Sequence, residues 1–148
     1  MKSFMQRLTL LLLIAADAAA ASEQDVPAWV VHGIAMVETR SYYDSMRHIW
    51  RYVDTRVGAD GERGVWQMTE VAFNEDAKPG ERFTDLSSDW TLGERLLRRR
   101  LSRLYAKHCD WFIVAGLWNA GSVSRYGRLW RYAKRVKLAA IKLSLNQE

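Results

Sequence analysis

The chain has a single cysteine, Cys109, among 148 residues, so no internal disulfide can form and the fold must rest on its core. Two prolines and nine glycines are too few for a Pro/Gly-rich linker or a turn-rich all-β fold. Three histidines, His32, His48 and His108, lack metal-ligand spacing, so no metal and no cofactor is expected. No convincing period-2 alternation occurs and no internal repeat, which leaves helices as the expected framework. Cys109 reads as a buried thiol at a helix end. Its sequence neighbour His108 would point elsewhere on a helix and makes a poor catalytic partner.

What is present suits one domain with a packed core. The length matches a single domain, and 49% of the residues are hydrophobic, including seven tryptophans. The N-terminus reads as a secretory leader. Lys2 and Arg7 precede the apolar stretch "LTLLLLIAA" (8–16), and "AAAA" (18–21) offers small-residue cleavage sites. A leader of 1–21 would leave 22–148 as the mature domain and lower the formal charge from +5 to +4, since Lys2, Arg7 and Asp17 depart together. Asp17, close to the apolar stretch, leaves an uncleaved anchor as the alternative. Export places the domain in the periplasm, cell envelope or medium.

The sequence predicts a mainly α fold. A helix is expected over 26–39, with Pro27 in its first turn and Val30, Ile34 and Val37 on one face. A small hairpin is expected within 48–62, a short helix within 65–73, and loop over 74–89. Asp89 or Ser88 would cap a helix with Leu92, Leu96, Leu97, Leu101, Leu104 and Tyr105 on its apolar face and arginines opposite. Asp110 would cap the apolar "WFIVAGLW", broken at Gly121, and Ser122 the last helix, which would run through Tyr126, Trp130, Tyr132 and Val136 to about Leu143.

"AMVETRS" (35–41) ends an apolar helix on a carboxylate, Glu38. Its i−4 and i−3 neighbours are Ile34 and Ala35, so its side chain shares the apolar face. Desolvation there and the partial negative charge of a helix C-terminus both favour the protonated acid. General acid catalysis at a glycosidic oxygen needs that form. The bland alternative is a glutamate reaching water or Arg40 or Arg47.

Three further segments follow in order: "GVWQM" (64–68), "GLWNAG" (116–121) and "YAKRV" (132–136). The series Glu-Thr, Gly-Val-x-Gln-Met, Asn-Ala-Gly and Tyr-x-x-x-Val resembles the lytic transglycosylase (soluble transglycosylase type) domain of the lysozyme-like superfamily. The resemblance covers about 26–137. It implies a lysozyme-like helical domain that cleaves the peptidoglycan bond between N-acetylmuramic acid and N-acetylglucosamine. Glu38 would be the single acid/base, forming 1,6-anhydro-muramoyl ends. Gln67 and Met68 would line the sugar groove, Asn119 would hold sugar or backbone, and Tyr132 would orient the Glu38 carboxyl. The implied partner is the peptidoglycan glycan strand, and such enzymes also serve secretion and phage machines. Thr39 stands where that family usually has Ser, Trp118 where it commonly has Tyr, and Val65-Trp66 where Leu-Met is usual. The last pair would place bulkier side chains near the groove, where aromatics can stack on sugars.

Other readings of the same residues remain. Gln67 could cap a turn, Met68 fill core, Asn119 close a helix and Tyr132 pack as a core aromatic. A hydrolytic muramidase would need a second carboxylate, for which Asp44, Asp54, Asp60 and Glu62 are candidates; they equally suit turns. A non-catalytic wall-binding module and a cationic membrane-active protein are further alternatives. The arginine-rich "GERLLRRRLSR" and "YGRLWRYAKRVK" are read as solvated helix faces, attracted to an anionic envelope rather than to nucleic acid.

Overall fold

The computed structural model describes residues 22–53 and 57–145. The leader proposed at 1–21 and the candidate acid Asp54 lie outside the described residues. The described chain is mainly helical, with one small two-stranded hairpin. Its order is α1 (Ala28–Thr39), β1 (Tyr42–Asp44), β2 (Ile49–Arg51), α2 (Glu70–Asp76), α3 (Trp90–His108), α4 (Trp111–Ala120) and α5 (Tyr126–Leu145), with short 3-10 turns at Glu23–Asp25, Phe83–Ser87 and Val123–Arg125.

Side chains set most of the helix starts. Asp89 Oδ1 accepts from the Leu92 amide at 3.0 Å, opening α3. Asp110 Oδ1 accepts from Phe112 and Ile113 at 2.7 and 3.2 Å, opening α4. Each cap satisfies amides that the first turn of a helix leaves unpaired. Gly121, at φ 72°, closes α4, where a left-handed residue is needed and glycine takes it without strain. Ser122 accepts from the Ser124 amide and caps the turn that runs into α5.

Four expectations are corrected here. Pro27 is the extended cap residue before α1, not part of its first turn. The helix expected over 65–73 begins only at Glu70, because Thr69 accepts the Ala72 amide and caps it there; 64–68 is a tight turn. The stretch 74–89 is not all loop, since it holds the end of α2 and the Phe83–Ser87 turn. The hairpin starts at Tyr42, before the expected 48–62, and pairs Tyr43 with Trp50. Its three-residue strands are too short to show alternation. They are pinned by aromatics, with Trp50 stacked on His32 of α1 at 3.9 Å and Tyr52 packed against Trp66 and Trp90.

The core lies where α5 packs on α1 and α4. A Cβ at Gly33 would meet the Val136 carbonyl oxygen at 2.7 Å, and one at Gly116 would meet Leu129 at 2.6 Å. Glycine at these two positions lets the backbones approach. Val30, Val31, Ile34, Val114, Ala115, Tyr132 and Val136 fill the interface. A second cluster of Met68, Phe73, Leu86, Leu92 and Leu96 joins α2 and α3.

The outer faces of α5 and α3 make contacts of their own. On α5 the inward residues are Leu129, Tyr132, Ala133 and Val136, while Tyr126 and Trp130 are exposed. Trp130 instead packs edge-on against Phe112 at the surface. The arginines of α3 are not simply solvated: Arg99 grips Glu81 with two hydrogen bonds of 2.7 and 2.9 Å. Arg100 and Arg103 share Glu75 and Asp76. Cys109 is exposed rather than buried; it is the left-handed residue, φ 51°, that ends α3.

Candidate active site

Glu38 lies on the last turn of α1 and is half-buried. Arg40, left-handed at φ 59°, ends the helix immediately afterwards. Between them Thr39 is buried and its hydroxyl is a junction. Oγ1 lies 3.1 Å from the Ala35 carbonyl oxygen and 3.0 Å from that of Val65, sharing its single proton between them. Ser41 Oγ is 2.8 Å away, so Ser41 donates to Thr39 and in turn accepts from the Val53 amide. This chain of bonds ties the end of α1 to the 64–68 turn and to the strand end beyond β2, fixing the ground on which Glu38 stands. The hydroxyl that Thr shares with Ser suffices for it.

Tyr132 approaches from α5, and its hydroxyl donates to Glu38 Oε1. The contact follows from the antiparallel crossing of α1 and α5. Val136 meets Gly33, and one turn earlier on α5, toward the C-terminal end of α1, Tyr132 reaches Glu38. Tyr132 is 4% exposed. Burial, helped by the negative charge and hydrogen bond of Glu38, pushes its phenol well above its usual range. The group therefore keeps its proton and remains a donor. A buried phenol with one partner has little rotational freedom, so it fixes one oxygen of the carboxyl.

The turn at 64–68 delivers Gln67. Arg63 and Met68 exchange backbone hydrogen bonds of 3.0 and 2.9 Å, and the Gln67 amide donates to Gly64. Closing this loop requires Gln67 at φ 51°, a conformation uncommon for a residue with a Cβ. Its side-chain Nε2 donates to the Gly64 carbonyl at 2.9 Å. Such backbone strain persists only where the surroundings impose it. Here the neighbours do so: Val65 and Trp66 are anchored in the core, and the Trp66 indole donates to the Val31 carbonyl at 2.9 Å.

A groove runs past these residues. One chamber of about 390 Å³ is lined by Glu38, Asp60, Glu62, Gln67, Trp118 and Asn119. A second, of about 250 Å³, shares Gln67, Trp118, Asn119 and Arg128 with it and continues past Met68 to Arg100 and Arg125. Asn119 is at the end of α4, and its Oδ1 accepts from Arg128 Nε at 2.8 Å. Trp118 donates its indole N–H to the Trp66 carbonyl at 3.1 Å. That donor is thus engaged with the turn, and the ring serves the groove as a wall.

The fold therefore gathers Glu38, Gln67, Asn119 and Tyr132 from four separate segments. Met68 is 2% exposed and belongs mainly to the second core cluster, touching only the far chamber. Val65 and Trp66, expected beside the groove, are core residues at 1% and 2% exposure. Of the candidate second carboxylates, Asp60 and Glu62 line the Glu38 chamber, whereas Asp44 sits in the hairpin near Arg51. Arg128 was not anticipated. Its position nine residues after Asn119, across a helix break, gives no periodic signal. Among the described residues no three His, Cys, Asp or Glu side chains gather as a metal site, and no helix is long and apolar enough to cross a membrane. Comparisons with family models, with curated proteins and with solved structures find no match for this chain.

Proposed function

We propose that the protein is a lytic transglycosylase of lysozyme-like fold, exported to the cell envelope, that cleaves the peptidoglycan strand with Glu38 as its acid and base. The observation that carries this reading is the pair formed by a half-buried groove carboxyl and a buried tyrosine whose hydroxyl donates to it. Tyr132 orients the carboxyl through Oε1. In the first step Glu38 gives its proton to the glycosidic oxygen as the bond from that oxygen to muramoyl C1 breaks. In the second the carboxylate takes the proton of the muramoyl C6 hydroxyl while O6 bonds to C1, closing the 1,6-anhydro ring and restoring the acid. The internal hydroxyl replaces water and gains from proximity. Gln67 and Asn119 offer amides to the sugar substituents, and the Trp118 ring offers a face.

A second reading is favoured by Asp60 and Glu62, which share the chamber with Glu38. A carboxylate there able to activate water would make the protein a muramidase, since glycosidases pair two acids across the scissile bond. Product masses from purified sacculi decide between them. The transglycosylase releases muropeptides lighter by one water at the muramoyl end, and the muramidase releases reducing ends. Glu38→Gln should abolish release while the variant melts as the parent does. Undiminished digestion by that variant would sink both readings. A wall-binding module would sediment with sacculi and release nothing.

A further inference from the structure

The groove wall changes sign along its length. Around Glu38 it carries Asp60 and Glu62. Arg128 stands where the two chambers join and lines both; past it the far chamber adds Arg100 and Arg125, and no acid lines that chamber. The three arginines differ in what they already hold. Arg100 is neutralised by Glu75 at 2.6 Å and Asp76 at 3.2 Å. Arg128 makes its hydrogen bond to a neutral acceptor, Asn119. Neither Arg128 nor Arg125 has an ion pair among the described residues.

Their placement follows from the α4–α5 corner. Gly121 ends α4, Ser122 caps the next turn, and Arg125 and Arg128 follow three residues apart as that turn enters α5. At this spacing two side chains share one side of a helix. Two guanidinium groups lining one chamber suit a carboxylate, which accepts paired N–H bonds from such forks.

We propose that this end of the groove takes a carboxylate carried by the muramoyl substituent, and so selects substituted glycan strands and sets their direction. The inference rests on the peptidoglycan reading and deepens it. The lactyl group of a muramoyl sugar ends in a carboxylate when bare and bears a carboxylate-rich peptide when substituted. Pairing that group with Arg125 and Arg128 lays the substituent toward the arginine end and leaves the acidic end, with Glu38, to the uncharged sugar backbone. A strand without carboxylates would enter the same groove without this anchor.

The test uses the full chain and three substrates: strands with stem peptides, strands stripped by an amidase to the free lactyl acid, and stripped strands whose carboxylates are converted to amides. The expected KM for carboxylate-bearing strands is about tenfold below that for amidated strands, at similar kcat. The gap should narrow at high salt, which screens exposed charges. Arg125→Gln should raise the first KM toward the second and leave the amidated strand unaffected; adding Arg128→Gln should raise the first KM further, with some rise on the amidated strand too because Arg128 also holds Asn119, and Arg128→Lys should restore part of the loss. Should the double variant melt early, Arg125→Gln alone carries the comparison, because no described hydrogen bond of the fold depends on that side chain. A gap confined to peptide-bearing strands places the carboxylate on the peptide; a gap kept on stripped strands places it on the lactyl group. Equal KM for all three substrates, with cleavage intact, overturns the carboxylate inference alone. No release from any of them overturns the peptidoglycan reading and takes this inference with it.

Discussion

The hydroxyl of Tyr132 is the smallest part of the site that can be removed without changing the shape of the core. Tyr132→Phe keeps the ring between α1 and α5 and deletes the donor to Glu38. A hydrogen bond to a charged group contributes about 1.5–3 kcal/mol, so its loss at the acid should lower kcat about 10- to 100-fold. KM should change little, and the melting temperature should shift by a few degrees at most. Steady-state kinetics on sacculi beside a calorimetric melt would check both. A second titratable residue bears on stability rather than chemistry. His32 stacks on Trp50, and Tyr52 Oη lies 3.4 Å from its Nδ1. Burial is the main reason its pKa falls from 6.5 to about 4; Arg98 adds to the fall and Glu94 opposes it. The unfolded chain therefore binds a proton that the native state refuses between pH 6.5 and about 4. Stability should decline as pH falls through that window and level off below it. His32→Phe keeps a ring on Trp50 and should flatten that part of the melting-temperature profile. A profile that stays as steep in the variant would assign the slope to other groups.

Among the elements, α5 decides the geometry. It supplies Tyr132 to the acid and Arg128 to the groove, and it can do so only because Gly33 and Gly116 admit its backbone. Gly33→Ala tests this directly. The substitution gains about 1 kcal/mol of helix propensity, yet its methyl would stand 2.7 Å from the Val136 carbonyl oxygen. Overpacking against backbone costs about 1–3 kcal/mol, so the net effect should be mildly destabilising in urea denaturation. Activity should suffer more than stability, since displacing α5 moves Tyr132 from Glu38. A variant as active as the parent would show that the site tolerates a shift of the helix.

Across the whole molecule, what could be read from the sequence divides along physical lines. Local signals were legible: Asp89, Asp110 and Gly121 mark helix ends because caps depend on residue type and near neighbours. The gathering of Glu38, Gln67, Asn119 and Tyr132 was legible as an ordered pattern, though no single segment specifies it. Non-local packing was less so. Which face of α5 turns inward could not be read: Tyr126 and Trp130 are exposed while Leu129 and Val136 face the core, because the glycine contacts set the rotation of the helix. Val65 and Trp66 looked like groove residues because they directly precede Gln67 in the motif, and a tight turn sends them the other way. The arginines of α3 read as a free basic face because their acidic partners, Glu75, Asp76 and Glu81, lie 18 to 28 residues earlier in the chain.

The close fit of α5 against α1 and α4 has a consequence for how the protein fails. In many enzymes the site rests on loops that open before the scaffold does, so function fades while the fold persists. Here the residue that aims the acid is itself buried in the central interface, and the backbone it hangs from touches two helices with no side chain between. The amide protons around Tyr132 should exchange with solvent only through global opening. Heat inactivation and loss of the helical circular dichroism signal should then follow a single curve. A folded but catalytically dead intermediate, visible as activity lost several degrees below the melt, would mean that α5 can loosen by itself.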